Sequence, residues 1–382
     1  MFSKTIIFKN FKYSKKNLSL LKSLQSIISK NNQVLNSLSK KYNNNFKKKN
    51  LKKFKSFSNF RVIGMGGSSL GAQAIYDFLS HKIKKKFLFI DNLQSNKKNL
   101  KKAANLIISK SGNTLETIVN TNILVKKSDK NIFITEKKKN YLHILAEKMK
   151  SDIIHHNNFI GGRYSVLSEV GMVPAELMGL QSNYFKQLNN LIKKKEFLNS
   201  LVSNVDSTLL YLKQKKFNSI IINYDEKSES LFKWYQQLLA ESLGKKKKGI
   251  LPIVSNMPKD NHSVMQLYLD GFQNNFFTFF YVNENKSQKI INNKILPQQK
   301  ILKNKKISDI IFAQKTATER VFDKKKIPFR SFEIKKRDEK TLGELFCFFI
   351  LETILLGKAL NVNPFDQPAV ELIKKETKKI LI

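Results

Sequence analysis

The chain has 382 residues, of which 41% are hydrophobic and 11% aromatic. This composition excludes wholesale disorder, because enough apolar side chains are present to fill real cores. The single cysteine, Cys347, excludes a disulfide framework and a cysteine-based metal cage. It favours a reducing compartment, so we expect a cytoplasmic protein. At roughly 150 residues per domain, the length predicts two or three domains.

The formal net charge of +41 comes almost entirely from lysine and is spread along the chain. Only five of the 70 basic residues are arginine, at positions 61, 163, 320, 330 and 337, and short lysine runs are spread along the whole chain. A nucleic-acid surface would concentrate its charge in one stripe and use arginine for bidentate contacts. We therefore expect no nucleic-acid partner.

The apolar stretches are too short for a membrane span. The longest, residues 276–282 and 345–356, fall below the roughly 18 residues that a transmembrane helix needs. Residues 1–50 are rich in serine and lysine, which is also typical of targeting segments. Apolar residues recur there at helical spacing, however, at Leu20, Leu21, Leu24, Ile27 and Ile28. This pattern favours an N-terminal helical segment that belongs to the fold.

From residue 60 onward, short apolar runs alternate with helical stretches, which is typical of α/β folds with parallel sheets. A first series of strands is predicted at residues 61–64, 87–90, 106–108, 131–135 and 152–154. A helical stretch at residues 185–195 leads into a second series at residues 217–223, 250–254, 275–282 and 329–334. Helices at residues 342–356 and 368–381 close the chain. Two α/β units in tandem are expected.

Four of the 14 glycines fall between Gly64 and Gly71, directly after the first predicted strand and before a helix. Glycine there lets backbone amides approach an anion at a helix N-terminus. A dinucleotide-binding loop is a rival interpretation, since Asp91 ends the next strand where a ribose-binding acid would lie. The G-x-G-x-x-G pattern fails, because position 69 is serine. A sugar or phosphate loop is favoured, and a plain tight turn stays open.

The third predicted strand runs into a cluster of hydroxyl side chains, at Ser109, Ser111, Thr114 and Thr117. Hydroxyls and free amides at a helix N-terminus favour phosphate binding. Asn113 and Glu116 have the spacing of a capping box, so ordinary helix capping is the alternative for these two residues.

Three further segments carry candidate site residues. Arg163 follows two glycines in a chain that uses lysine almost everywhere, which indicates that the planar guanidinium matters, although a structural ion pair stays open. Gln237 and Glu241 lie one turn apart on a helix that Gly244 would end, where a glutamate is usually just solvated. His262 is predicted in the first turn of a helix.

The last segment begins a predicted helix at Pro368. It places Gln367 and Lys374 seven residues apart on one face, although a lysine near a C-terminus is most often a surface residue.

Taken in order, segments 64–71, 109–117, 161–171, 237–245, 262–263 and 366–371 resemble the phosphoglucose isomerase family. The resemblance spans residues 60–375. It implies two sugar-isomerase (SIS) domains, each a three-layer αβα sandwich around a parallel sheet, usually in a homodimer whose active site borrows a residue from the partner. On this basis the chain divides into an N-terminal helical segment, a phosphate-binding domain, a catalytic domain and a C-terminal helix, at residues 1–50, 51–195, 196–360 and 361–382.

The resemblance also implies a reaction, the interconversion of glucose 6-phosphate and fructose 6-phosphate through a cis-enediol, in glycolysis and gluconeogenesis, with no metal and no cofactor. By motif, Glu241 is the base and Arg163 stabilises the enediolate. His262, from the neighbouring subunit, and Lys374 assist ring opening. The residues implied to bind substrate are Gly67, Ser68, Ser109, Lys110, Ser111, Thr114, Thr117, Gly162, Gln237 and Gln367.

Two positions depart from the family pattern, since Ile373 and Ala369 stand where glycines are common, and the loop before His262 lacks its usual glycines. Two other functions stay open. One is a bifunctional isomerase that also acts on mannose 6-phosphate, because a phosphate pocket does not report the stereochemistry at C2. The other is a non-catalytic sugar-phosphate sensor, bound to DNA through its lysines.

Overall fold

The computed structural model describes residues 3–12, 17–30, 32–93, 100, 102–284 and 287–382. The chain begins with strand β1 (Ile6–Lys9) and helices α1 (Leu18–Ser29) and α2 (Gln33–Ser37). The side chain of Asn17 caps α1, and Leu20 and Leu24 are buried on the face that the apolar spacing predicts.

The first α/β unit is built on a sheet of five parallel strands, in the order β3-β2-β4-β5-β6. Its strands are β2 (Asn59–Ile63), β3 (Lys86–Ile90), β4 (Ala103–Ile108), β5 (Asn131–Glu136) and β6 (Asp152–His156). Its helices are α3 (Leu70–Phe78), α4 (Leu115–Leu124), α5 (Tyr141–Lys148) and α6 (Glu169–Leu177).

The second unit also contains a five-stranded sheet, in the order β1-β10-β9-β7-β8, in which only β1 is antiparallel. Its other strands are β7 (Asn218–Asn223), β8 (Leu251–Asn256), β9 (Asn275–Val282) and β10 (Phe329–Ile334). The remaining helices are α7 (Leu188–Leu191), α8 (Lys195–Lys213), α9 (Glu229–Leu243), α10 (Met265–Asp270), α11 (Ile307–Lys324), α12 (Glu339–Ala359) and α13 (Val370–Ile380).

The α/β class with parallel sheets flanked by helices is confirmed, and all nine predicted strands are present. The helix predicted at residues 185–195 is present only in part, as the single turn of α7, and its continuity is wrong. A short 3-10 turn, Ser182–Phe185, precedes α7, and α8 begins only at Lys195. The break has a cause in Lys186, which leaves the helical conformation and buries its side chain.

Helix α12 is almost entirely buried and packs against α8 and α9. It carries Glu352, which forms a fully buried ion pair with Arg330 of β10. Tyr235 of α9 donates a hydrogen bond to the same carboxylate, from Oη to Oε2 at 3.0 Å. Charge this deep is tolerated only with such partners, so the network locks α9, the helix that also carries Glu241, onto the core.

The carboxyl ends of neighbouring parallel strands meet at one edge of a sheet, which is where α/β folds bind ligands. In the first unit, β2 and β4 are neighbours, and they lead into the glycine-rich loop and the hydroxyl cluster. In the part of the chain that the structure describes, no helix combines the length and apolarity that crossing a membrane would require.

Candidate active site

The glycine-rich loop after β2 packs directly against the loop that carries Arg163. A 3-10 turn, Gly66–Ser68, precedes α3, and Gly66 has a φ of +53°. A Cβ atom on Gly67 would lie 2.2 Å from the carbonyl carbon of Gly162. Only glycine permits this backbone approach, so Gly67 and Gly162 form the contact between the two loops.

This packing disfavours the dinucleotide alternative. A dinucleotide loop leaves its glycines open to the pyrophosphate, whereas Gly67 is buried against Gly162 and a Cβ on Gly66 would meet Gln237 Nε2 at 2.8 Å. Asp91, the candidate ribose ligand, lines a cleft of about 1030 Å³ between α3 and α9. Asp77, Glu226 and Glu229 also line that cleft and outnumber its two lysines, Lys227 and Lys233, so its charge does not favour a dinucleotide phosphate.

Arg163 lies at the centre of the site, and its side chain is 2% exposed. Its Nε donates to Ser242 Oγ at 2.8 Å and its Nη1 to Gln367 Oε1 at 2.8 Å. Its Nη2 donates to the carbonyl oxygens of Pro364 at 2.6 Å and Asp366 at 3.0 Å. Four acceptors from two other segments therefore hold the guanidinium plane, which a lysine ammonium could not satisfy in the same geometry.

Glu241 faces this guanidinium from the last turn of α9. Its Oε1 is 3.3 Å from Arg163 Nη1, and its Oε2 accepts a hydrogen bond from Gln237 Nε2 at 3.0 Å. The contact confirms that Gln237 and Glu241 share one helix face, and Gly244 ends the helix as predicted. The Glu241 side chain is 26% exposed, so a solute can reach a carboxylate that is already oriented by two partners.

Two residues that orient Arg163, Tyr164 and Ser242, were not predicted from the sequence. Tyr164 Oη and Ser242 Oγ lie 2.8 Å apart, and Tyr164 Oη also donates to the Pro364 carbonyl at 3.0 Å. Burial raises the pKa of the Tyr164 phenol, so it stays a hydrogen-bond donor. A signal for Ser242 was available, because it is a hydroxyl on the apolar face of α9, one turn after Leu238.

Gln367 lies in the site because it accepts a hydrogen bond from Arg163, but it does not belong to a helix. The predicted start at Pro368 is wrong, because α13 begins at Val370. The segment that contains Gln367 is held instead by an ion pair between Lys245 Nζ and Asp366 Oδ1 at 2.9 Å. That interaction lowers the pKa of the exposed Asp366 carboxyl.

The hydroxyl cluster lies at the carboxyl end of β4, in the segment that leads into α4. Ser109 Oγ and Thr114 Oγ1 are 2.9 Å apart, and Ser109 Oγ accepts from the Gly112 amide at 3.2 Å. Thr117 is fully buried, and its Oγ1 has no hydrogen-bond partner among the described residues. Ser111 lies at the exposed outer side of the turn, where its Oγ accepts from the Asn113 amide at 3.3 Å.

The capping box predicted for Asn113 and Glu116 does not form. The N-cap of α4 is Thr114, which makes no side-chain capping hydrogen bond. The Asn113 side chain instead accepts a hydrogen bond from the Tyr141 amide at 3.1 Å, because the loop crosses the start of α5. Lys110 donates to the Asn158 carbonyl at 2.7 Å, so it leans toward the loop that carries Arg163. Ser68 is half-buried at the end of the glycine-rich turn.

Two predicted site residues are not brought to Arg163 and Glu241 within one chain. His262 is exposed at the end of a 3-10 turn, Lys259–His262, so its predicted position in a helix's first turn is wrong. The following helix, α10, has Val264 at its N-cap position, without a side-chain capping hydrogen bond. The Asp260 side chain bends this segment by accepting from the Asn256 amide at 2.7 Å.

Lys374 also lies outside the cluster and does not share a helix face with Gln367. Its Nζ pairs with Glu371 at 2.6 Å on α13, and this helix has no buried residue. Two of its apolar side chains, Ile373 near its start and Ile380 at its end, are 70% and 84% exposed.

Among the residues that the structure describes, no group of three histidine, cysteine, aspartate or glutamate side chains is arranged to hold a metal ion. The chemistry available to the described site therefore consists of one accessible carboxylate, one fixed guanidinium, two amide side chains and a hydroxyl cluster.

Comparison with known proteins identifies the family. A family model described as phosphoglucose isomerase matches residues 13–382. The glucose-6-phosphate isomerase of Methanocaldococcus jannaschii is 34% identical over 348 residues, which cover 85% of this chain and 86% of that relative.

Two solved structures share the fold. A hypothetical protein from Thermus thermophilus superposes with a TM-score of 0.82 at 22% identity, over 95% of this chain and 94% of its own. A glucose-6-phosphate isomerase from Chlamydia trachomatis gives a TM-score of 0.75 at 18% identity, over 95% of this chain and 83% of that protein. Because the family model matches nearly the whole sequence and a relative exceeds 30% identity over most of both chains, this chain belongs to the phosphoglucose isomerase family.

Proposed function

We propose that Glu241 is the base with which this member of the phosphoglucose isomerase family interconverts glucose 6-phosphate and fructose 6-phosphate. One observation carries the proposal, the approach of the Glu241 carboxylate to Arg163 Nη1 at 3.3 Å. An aldose–ketose isomerisation needs a base that moves a proton between adjacent carbons and a cation that stabilises the oxygen charge. The pair supplies both.

In the forward direction, Glu241 removes the proton from C2 of the open-chain aldose. The C2–H electrons form the C1–C2 double bond, the C1=O1 π electrons move to O1, and O1 takes a proton from water, so the intermediate is a cis-enediol. Glu241 then returns its proton to C1 as the O2 hydroxyl gives its proton to water and becomes the ketone. Arg163 stabilises the negative charge that develops on the oxygens, and its four other acceptors keep it in place.

The hydroxyl cluster binds the phosphate group in this proposal. Ser109, Ser111, Thr114 and Thr117 supply the hydroxyls, and the buried Thr117 Oγ1 lacks a partner that a phosphate oxygen would provide. Lys110 adds positive charge beside them. Gly67, Ser68, Gly162, Gln237 and Gln367 line the sugar. The hydrogen bonds of Gln367 to Arg163 and of Gln237 to Glu241, and the packing of Gly67 on Gly162, support the assignment of these four residues.

The site is shared between two copies of the chain in a homodimer, in the cytoplasm. His262 of the partner subunit assists ring opening and closing, and Lys374 has the same role. The exposed position of His262 and the unburied helix α13 support this arrangement, because both can pack only against another molecule or after a rearrangement. The domain limits at residues 51–195 and 196–360 belong to the same proposal.

The function is tested by the conversion of fructose 6-phosphate to glucose 6-phosphate by purified protein without added metal, followed in a coupled assay. We expect turnover in both directions. Binding of fructose 6-phosphate without turnover would contradict the proposal and favour a sensor. A parallel assay with mannose 6-phosphate decides whether the chain acts on both epimers.

A further inference from the structure

A buried charged cluster lies beneath the loop that carries Arg163. This loop, residues 157–168, connects β6 to α6, and His156 and Glu169 are the residues at its two ends. Their side chains are 1% and 0% exposed, and His156 Nδ1 is 3.6 Å from Glu169 Oε2. The two ends of the loop are therefore joined by a pair of titratable groups that water does not reach.

The hydrogen-bond partners of His156 decide where its proton lies. Its Nε2 is 2.9 Å from the carbonyl oxygen of Ile160, which lies inside the loop. A carbonyl oxygen only accepts, so Nε2 carries a hydrogen. The Nδ1 atom then faces Glu169 Oε2, and neither atom has a hydrogen-bond partner elsewhere among the described residues.

The other oxygen of Glu169 is already occupied. Its Oε1 accepts from Tyr42 Oη and from the Asn45 amide, both at 3.0 Å. A bare imidazole nitrogen facing a bare carboxylate oxygen, both fully buried, would leave two acceptors unpaired, which is costly. One proton held by the pair gives one of the two atoms a hydrogen to present to the other, and the 3.6 Å separation is that of an ion-pair contact, longer than a hydrogen bond. Burial opposes the charge on Glu169, but the hydrogen bonds from His156 and Asn45 prevail and lower its pKa.

The far end of the loop is held from the same cluster. Lys186 is 1% exposed, and its Nζ donates to the carbonyl oxygens of Leu167 at 2.9 Å and Ser37 at 3.0 Å. It also lies 4.5 Å from the centre of the Tyr42 ring. The titratable groups that face the pair from other elements are Tyr42 and Lys186, with Cys347 of α12 beyond Lys186.

We propose that His156 and Glu169 share one proton and act as positioning residues for Arg163. This proposal rests on the function proposed above. The pair fixes the backbone of residues 157–168 at its two ends. The guanidinium is fixed separately, by Ser242, Gln367 and the carbonyls of Pro364 and Asp366. A displacement of about 1 Å at a catalytic group can cost about a hundredfold in rate, so anchoring of the loop matters for turnover.

The variants Glu169→Gln and Glu169→Leu separate hydrogen bonding from charge. A glutamine can accept from Tyr42 and Asn45 with its oxygen and donate to His156 Nδ1 with its amide nitrogen, so every buried group keeps a partner. A leucine leaves those groups unpaired. We expect Glu169→Gln to keep kcat within about threefold of wild type, and Glu169→Leu to lower kcat about tenfold or more with a smaller change in KM.

Glu176→Leu is the matched control. It removes a second buried carboxylate from the same helix, one whose polar contacts, with Ser182 N at 3.0 Å and Lys48 Nζ at 2.7 Å, lie outside the loop. Glu176→Leu should lose stability but keep kcat per folded molecule. If Glu169→Leu behaves in the same way, the pair has only a structural role and the proposal is overturned.

A measurement on the wild-type protein keeps the proposal testable if Glu169→Leu does not fold. Nitrogen NMR of ¹⁵N-histidine-labelled protein reports which ring nitrogens of His156 carry hydrogen. We expect Nε2 to be protonated, and Nδ1 either to be protonated as well or to accept a hydrogen from Glu169. Hydrogen on Nε2 with a bare Nδ1, or hydrogen on Nδ1 alone, would contradict the proposal. Because this spectrum needs no substrate, it tests the His156–Glu169 pair even if the wild-type protein fails to isomerise. Failure of the proposed function and failure of the proposal for this pair are therefore distinguishable.

Discussion

Arginine is used in this chain where several acceptors converge on one buried group. Arg61, Arg163 and Arg330 are buried, and the side chain of Arg337 is 7% exposed. Arg330 lies within the Glu352 network, and Arg337 binds Asp225 through Nη1 at 3.2 Å and Nη2 at 2.6 Å. Arg163 has the same character, and an accessible carboxylate does not by itself set it apart, since Glu241 beside it is 26% exposed and Glu284 beside Arg337 is 36% exposed. The candidate site differs from a structural ion pair in the two amide side chains that meet the pair, Gln367 at Arg163 and Gln237 at Glu241.

Replacing Arg163 by lysine should therefore abolish most of the activity. An ammonium cannot contact Ser242, Gln367 and the two backbone carbonyls at once. We expect kcat to fall about a hundredfold or more, measured by steady-state kinetics. Arg320→Lys, at the exposed arginine, is the control and should be indistinguishable from wild type. Comparable losses in both variants would mean that the position of Arg163 is not special.

Lys186 should make stability depend on pH. Burial lowers its pKa from 10.5 to about 8, with Glu169 opposing the shift. Between those two pKa values the unfolded chain binds more protons than the folded one, so the free energy of unfolding rises with pH. Below about pH 8 the buried lysine is charged, and the full cost of burying that charge lowers the stability of the folded protein. In Lys186→Met this contribution is lost.

The measurement is urea unfolding of wild type and Lys186→Met from about pH 7 to about pH 10.5. The difference in unfolding free energy should move in favour of wild type by about 3 kcal/mol. Lys193→Met, at an exposed lysine, is the matched control. If the unfolding free energies of wild type and Lys186→Met change in parallel with pH, burial does not penalise the charged form of Lys186 in the folded protein.

At the level of elements, hydrophobic runs predicted nine strands because each is a short, buried, mostly apolar segment between polar turns. Strand β1 was not predicted, because it is four residues long and its partner β10 lies more than 300 residues away. The prediction of a continuous helix at residues 185–195 also missed a contact with residues far away in sequence. Its pattern is helical locally, but Lys186 is drawn into the core by carbonyls of distant segments.

The candidate site was predictable where neighbours in sequence are neighbours in space. Gln237 and Glu241 meet because they lie one helical turn apart, and the hydroxyl cluster forms within one turn. Contacts between segments, such as Ser242 with Arg163, depend on packing that no local pattern encodes. The resemblance to the family named Arg163 and Glu241 together, which spacing alone could not.

The contact between the glycine loop and the Arg163 loop can be tested by Gly67→Ala. The new Cβ would lie 2.2 Å from the Gly162 carbonyl carbon and 2.5 Å from Arg163 N, so the loops must separate. We expect a loss of about 1–3 kcal/mol in urea unfolding and about a tenfold fall in kcat. Gly161→Ala, whose Cβ would make an ordinary 3.7 Å contact with Tyr164, should be tolerated. Equal effects of the two substitutions would exclude the proposed loop contact.

At the level of the whole molecule, the two α/β units are joined through the site. Arg163 of the first unit is held by Ser242 of α9 and by the segment after α12, and Trp234 Nε1 donates to the Arg163 carbonyl at 3.1 Å. Helices α3 and α9 pack along the same boundary. Of the proposed catalytic residues, His262 and Lys374 are left outside this arrangement, and they lie on surfaces that a second copy could cover.

Shared sites predict complementation between two inactive variants. In a mixed dimer of Glu241→Gln and His262→Asn, one site carries both substitutions and the other carries neither. Equimolar chains that are unfolded and refolded together should recover about one quarter of the wild-type activity, because half of the dimers are mixed and each has one intact site. Activity no greater than the sum of the separately refolded variants would show that His262 does not act across the dimer.

The central claim is that Glu241 transfers the proton, and the most direct measurement is the rate of isomerisation by Glu241→Gln. Glutamine keeps the size and the contact with Gln237 but has no basic carboxylate. We predict a loss of about a thousandfold or more in kcat, with an unfolding curve close to that of wild type. Turnover near the wild-type rate in a folded Glu241→Gln protein would contradict the account.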